Sequence, residues 1–259
     1  MTFAAAMDAA YGDRWEEAFA LLRAAAAAGD DFARAQLEVI GGADPDQLLT
    51  PPPMDRIHEQ SAVFVCRGFA PPTICDWLVA QALPRLHPSY VHNSHTGTQY
   101  EDPSRTATTT GVRFDFIAAI MQERAARRTR VPVANHEAPT IISYEVGQKF
   151  DHHYDFINPD HRGSLTELLS SGQRTITVVT YLNDDFEGAH TDFPLLDIQF
   201  KGAKGDAILF SNVLPNGAPD KNTWHAGLPP TAGRKWVLSQ WIRNQPQPYR
   251  RVPSIRADD

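Results

Sequence analysis

From Pro139 onward the chain consists of short strand-like runs separated by turn residues, and this texture limits what it can fold into more than any other feature. Thr140 to Glu145, Arg174 to Leu182, Ala207 to Phe210 and Trp236 to Ile242 are rich in β-branched and aromatic residues. Gly and Pro lie between them. Many short strands at close intervals call for two packed sheets or a closed barrel. The expected core is a jelly roll, a double-stranded β-helix that is mainly β with flanking helices.

The first forty residues have a different period. Trp15, Ala18, Phe19 and Leu22 recur at helical spacing. Asp13 is placed to cap a helix starting at Arg14, with Glu16 returning the bond. Gly29 suits the position after its end. Asp30 or Asp31 then caps a second helix, Phe32 to Ile40. The pattern Trp15, Ala18, Leu21-Leu22, Ala25, Gly29, Ala33 and Gln36-Leu37 resembles one Sel1-like repeat. A single repeat cannot bury its own core, so it must pack on the rest of the chain or on a second copy.

The expected organisation is a small helical hairpin at 1–44, a proline-rich linker at 45–60, a β-rich domain at 61–245 and a tail at 246–259. Within the domain, Pro71 to His87 and Phe114 to Ala126 read as helices. The polar stretch His92 to Gly111 reads as a long mobile loop of the kind that closes over sites, with Arg105 as a substrate contact.

Thirty-one acids against 24 bases give a net charge of −7, opposite to the footprint of a nucleic-acid binder. The basic run Arg124 to Arg130 suits a solvated helix C-terminus. No apolar run has the length of a membrane span. The N-terminus lacks a basic segment, so no secretory signal is expected. Cys66 and Cys75 fit no zinc-finger spacing and read as buried free thiols of a cytoplasmic protein.

The segment Tyr144 to Asp155 ends in His152-His153-Tyr154-Asp155. Residues two apart on a strand share a face, so His153 and Asp155 project together while His152 points away. A third ligand must come from another strand, and His225, just before the last strand, is the candidate. Two histidines and a carboxylate suit non-haem Fe(II) with open positions. A catalytic zinc accepts the same donors. Lys235 separates the two readings. A lysine at the start of an apolar strand needs a buried anion, and a dicarboxylate co-substrate supplies one.

In order and spacing these blocks resemble the prolyl 4-hydroxylase-like Fe(II)/2-oxoglutarate dioxygenases across about Val63 to Arg243. The matching parts are Tyr144-x-x-Gly147-x-x-Phe150-x-x-His153-x-Asp155, Arg174 with Tyr181-Leu-Asn183, Gly188-Ala-His-Thr191, and His225-Ala-Gly through Gly233-Arg-Lys235-Trp236 to Trp241. The resemblance implies a dioxygenase domain at 61–245. His153, Asp155 and His225 would bind iron, Lys235 would hold the C5 carboxylate of 2-oxoglutarate with Tyr144 and Thr191, or Thr180 instead, and Arg174 would face the substrate. It further implies O2 as oxidant, ascorbate as an accessory reductant, and succinate as co-product. The chain departs from the pattern at Ala189 for a glycine, Phe150 for a tyrosine and Arg243 for a histidine.

The leading expectation is hydroxylation of a prolyl residue in a peptide or protein. The alternatives are a free amino acid or other small metabolite, and a non-catalytic scaffold whose helical hairpin recruits a partner or forms a dimer.

Overall fold

The computed structural model describes residues 2–92, 99–160 and 163–247. Its helices are α1 (Phe3–Tyr11), α2 (Trp15–Ala27), α3 (Asp31–Ile40), α4 (Pro45–Leu49), α5 (Pro72–Ala82), α6 (Phe116–Thr129) and α7 (Ser164–Ser171). Its strands begin with β1 (Asp55–Arg56), β2 (Val63–Cys66), β3 (His87–Pro88), β4 (Tyr90–His92), β5 (Gln99–Glu101), β6 (Thr108–Gly111), β7 (Thr140–Tyr144) and β8 (Phe150–His153). They continue as β9 (Arg174–Tyr181), β10 (Phe186–Gly188), β11 (Thr191–Phe193), β12 (Ile198–Phe200), β13 (Ala207–Ser211), β14 (His225–Gly227), β15 (Pro230–Gly233) and β16 (Lys235–Arg243).

Contacts divide the described residues into two compact units: one up to Pro51 with Arg113–Ala134, the other Pro52–Val112 with Asn135–Gln247. The boundary differs from the sequence expectation, because α6 lies inside 61–245 yet groups with the N-terminal helices. The cause is its apolar face. Phe116 meets Trp15 and Phe19 edge-on at 5.9 and 5.0 Å, and Gln36 accepts from the backbone N–H of Phe116 at 2.7 Å.

The helical unit departs from a two-helix hairpin. An additional helix, α1, precedes it and buries Ala6, Met7, Ala9 and Ala10. Asp13 caps nothing: it adopts φ +58°, and Arg14 takes the N-cap position without a side-chain bond. Asp30 does cap α3, accepting from Ala33 N–H at 2.9 Å. The stretch 45–60, expected as a linker, contains α4 and β1.

The basic run at the end of α6 is not a solvated end. Arg124 is buried and donates to the carbonyl of Leu48. Arg127 binds Asp46, Glu123 and Thr50, and Arg128 reaches the Pro51 carbonyl. The Arg124 and Arg128 guanidinium groups satisfy backbone carbonyls that would otherwise be stranded.

The second unit is a double-sheet β structure. One sheet has the order β1-β2-β13-β9-β16-β7-β6-β3, and a smaller one β12-β11-β14-β8. The pairings that carry the site are antiparallel. Ile142, Tyr144, Tyr181, Phe193, Phe200, Phe210 and Val237 fill the core. The segment 92–111 is partly sheet: β5 pairs with β4, and β6 with β7. Residues 93–98 of that expected loop lie outside the described residues. Cys66 and Cys75 are buried and form no disulfide among the described residues. Among the described residues no helix is long and apolar enough to cross a membrane.

Candidate active site

The strand period places one row of side chains inward from each of three neighbouring strands. Ile142 and Tyr144 come from β7, Val179 from β9, and Lys235, Val237, Ser239 and Trp241 from β16. The smaller sheet closes the other side with Phe150 and His153 from β8, Thr191 from β11, and His225, Ala226 and Gly227 from β14. Asp155 follows β8 in a bend and completes the lining.

Cross-strand register brings the distant ligand in. His225 on β14 sits opposite His153 on β8. One ligand atom from each of His153, Asp155 and His225 falls within 4.8 Å of the others. His153 Nε2 is 3.5 Å from Asp155 Oδ1, and His225 Nε2 is 3.6 Å from Oδ2. His152 does point away, to Asp192 at 2.9 Å.

The tautomers suit a cation. His153 Nδ1 lies 2.8 Å from the Asp151 carbonyl and His225 Nδ1 lies 2.9 Å from that of Thr223. A carbonyl only accepts, so each Nδ1 carries the proton and each Nε2 presents a lone pair to the site. Burial and the neighbouring His153 bring the His225 pKa down to about 4 against the opposing pull of Asp155 and the Thr223 carbonyl, so it stays neutral and able to ligate. Burial raises the Asp155 carboxyl, but His225, His153 and the Thr177 hydroxyl outweigh it and keep it ionised. The donor set therefore fits Fe(II).

Behind Asp155 lies a chain of buried groups that sequence reasoning missed. Thr177 donates to Asp155 Oδ2 at 2.7 Å, and Asn212 donates to Thr177 at 2.9 Å. Thr177 shares a face of β9 with Val179, a signal available from strand alternation once β9 was placed.

Lys235 is buried, and its Nζ donates to the Ala189 carbonyl at 2.7 Å. No carboxylate among the described residues pairs with it. Burial pushes its pKa down to about 7. Ala189 adopts φ +53°, the left-handed conformation that the glycine of the usual pattern takes freely.

Tyr144 lies opposite Lys235 in register, and its hydroxyl has no partner among the described residues. Thr191 differs. Tyr181 donates to the Phe200 carbonyl at 2.8 Å, so the Thr191 hydroxyl, 2.9 Å away, donates to Tyr181. Thr180 is not brought to the pocket. It lies on the opposite face of β9 from Val179, buried with no hydrogen-bond partner.

Arg174 is held by Glu137 at 2.6 and 3.0 Å and stacks on the Trp241 ring at 4.0 Å. It supports a pocket wall rather than lining the pocket. Arg243, at the position where the resembled pattern can carry a histidine, donates to Glu137 and Glu167, each at 2.6 Å, and to the Gly172 carbonyl at 2.7 Å. Phe150 stacks on His153 with centroids 3.6 Å apart, and Arg105 covers its other side at 4.6 Å.

Residues 139–243 match the 2OG-Fe(II) oxygenase superfamily. Probable prolyl 4-hydroxylase 9 of Arabidopsis thaliana is 33% identical over 204 residues, covering 70% of this chain and 68% of the relative. Prolyl 4-hydroxylase 13 of the same plant is 30% identical over 200 residues, covering 71% of each. A viral collagen prolyl hydroxylase from Paramecium bursaria Chlorella virus 1, solved as a 2OG complex, superposes with a TM-score of 0.54 at 26% identity. That match covers 70% of this chain and 94% of the viral one.

Proposed function

Because the chain belongs to the 2OG-Fe(II) oxygenase superfamily and is a 2-oxoglutarate-dependent dioxygenase, we propose that it hydroxylates a prolyl residue of a peptide or protein. The coupled reaction is decarboxylation of 2-oxoglutarate to succinate. The observation that carries this reading is the convergence of His153, Asp155 and His225 in a pocket that also holds an ammonium without an anion. The named relatives support the choice of proline.

His153 Nε2, a carboxylate oxygen of Asp155 and His225 Nε2 would hold the iron. Fe(II), once bound, supplies O2 activation coupled to loss of CO2 from 2-oxoglutarate. Thr177 and Asn212 orient the carboxylate. Lys235 takes the distal carboxylate of 2-oxoglutarate, and Tyr144 adds a free hydroxyl donor beside it. Thr191 packs against that end with its own proton committed to Tyr181. Phe150, Val179, Val237 and Trp241 keep water from the reacting centre. Arg174 holds the Trp241 ring in place.

Ascorbate as accessory reductant, a cytoplasmic setting for the two free thiols, and the Sel1-like N-terminal helices as a contact surface belong to the same proposal. So does a catalytic domain within 61–245, less the α6 segment that groups with the N-terminal helices. The test is conversion of 2-oxoglutarate to succinate with iron and ascorbate, alongside mass spectrometry of proline-containing peptides. A gain of one oxygen on proline, lost in His153→Ala together with iron binding, supports the reading. Turnover only on a free metabolite overturns the peptide assignment.

A further inference from the structure

Arg105 is a partly buried cation beside the iron pocket with no counterion among the described residues. It lies opposite Phe150 across an isolated bridge, and its guanidinium covers the Phe150 ring at 4.6 Å. Its Nε is shut off from solvent without a hydrogen-bond partner. Burial and the nearby Arg174 both disfavour its charge, and only Tyr144 and Asp155 favour it. A guanidinium is not relieved by losing its proton, so the cost stands until an anion arrives.

Apart from Asp102, whose carboxylate accepts from Ser104 N–H, the charges around it are otherwise matched. Fe(II) with Asp155, and dianionic 2-oxoglutarate with Lys235, sum to neutrality. Arg174 and Arg243 are offset by Glu137 and Glu167. Lys149 has Asp151, and Arg234 has Glu145. Arg105 is left over. It also lines a cavity of about 470 Å³ with Ser89, Asp102, Thr106 and Gln148. Ser89 is buried and its hydroxyl has no partner among the described residues. Asp102 in the same wall accepts from the backbone N–H of Ser104 at 2.8 Å.

We propose that Arg105 is the receptor for a carboxylate carried by the substrate next to the proline that is oxidised. The substrate is then an acidic peptide, either ending in that proline or bearing an acidic residue beside it. The Arg105 fork takes the carboxylate through paired N–H bonds, and the adjoining cavity takes the flanking chain, with the Ser89 hydroxyl as a further donor. This rests on the prolyl hydroxylase reading and narrows its substrate class.

The test uses the full chain loaded with Fe(II) and 2-oxoglutarate under argon, with tryptophan fluorescence reporting peptide binding. The probes are acetyl-Ala-Pro with a free C-terminus against its amide, and acetyl-Ala-Pro-Glu-amide against acetyl-Ala-Pro-Gln-amide. One carboxylate form binds about tenfold or more tighter than its neutral twin, and the pair that shows this identifies the source. Arg105→Gln brings that ratio close to one, and Arg105→Lys restores part of it. A merely structural role weakens both twins equally and leaves the ratio unchanged, which overturns the proposal. Equal binding of the twins by the unaltered protein overturns it too, as does a ratio that survives in Arg105→Gln. A loss confined to 2-oxoglutarate affinity assigns Arg105 to the co-substrate and also overturns it. Admitting air separates the two readings. Carboxylate-dependent binding without oxygen gain on proline leaves the Arg105 site standing and removes the prolyl assignment. Hydroxylation with no carboxylate preference does the reverse.

Discussion

His225 lies directly across the β8–β14 ladder from His153, with the two rings 4.3 Å apart. Strand pairing, rather than proximity in the chain, assembles the ligand set. Each imidazole is then turned by a carbonyl two residues before it, Asp151 for one and Thr223 for the other. The same local device is used twice, so both Nε2 atoms face one point.

Thr177→Val removes the hydroxyl that donates to Asp155 and strands the Asn212 amide behind it. Affinity for Fe(II) falls about 10- to 100-fold, the usual cost of losing an outer-shell partner. Thr177→Ser retains most of it. Titration calorimetry with Mn(II) or anaerobic Fe(II) measures both.

Lys235 titrates in opposite senses with and without co-substrate. Burial lowers its pKa in the empty protein from 10.5 to about 7. The unfolded chain keeps this proton up to its ordinary value, so between those limits it binds more protons than the folded one. Stability of the empty protein therefore rises with pH across that window. Binding of 2-oxoglutarate needs the ammonium, so its Kd increases above about pH 7, approaching tenfold per pH unit. Lys235→Met abolishes both trends, raises the 2-oxoglutarate Kd, and stabilises the empty protein by about 1–4 kcal/mol, since an unpaired buried cation is replaced by an apolar chain. Thermal unfolding across pH, with and without 2-oxoglutarate, reads all of this.

Gly227 is required by a close approach. A Cβ there would stand 2.9 Å from the Tyr144 hydroxyl oxygen. Gly227→Ala pushes the tyrosine out of place at a cost of about 1–3 kcal/mol and weakens 2-oxoglutarate binding. Adding Tyr144→Phe recovers stability but not affinity. The double-mutant cycle is measured by denaturant unfolding and co-substrate titration.

Glu137 holds two guanidinium groups, the half-buried Arg174 and the buried Arg243. Burial raises its pKa, but those two cations bring it below the ordinary carboxylate value. Glu137→Gln leaves Arg174 without a carboxylate and Arg243 with Glu167 alone, and lowers stability by about 3–5 kcal/mol. The Trp241 wall loosens with Arg174, so the peptide KM rises more than the 2-oxoglutarate KM. Urea unfolding and steady-state kinetics test the two parts.

Two of the three candidate ligands were legible along the chain through short-range spacing, whereas the meeting with His225 depends on strand register. His153 and Asp155 lie two apart, and Lys235 opens an apolar strand. The double-sheet fold was legible in the strand period for the same reason. The boundary at α6 was not, since its partners Trp15 and Phe19 lie far upstream. Nor was the fate of the basic run after Arg124, because which carbonyls need a donor depends on where α4 and its following turn come to rest. Tertiary structure alone decided that Thr180 faces away while Thr177 reaches Asp155, that Thr191 spends its proton on Tyr181, and that Arg105 ends without a counterion among the described residues. Residue type and local period determine which chemistry is available. Cross-strand register and the pairing of buried charges determine which of those groups meet, and both are set by segments distant in sequence.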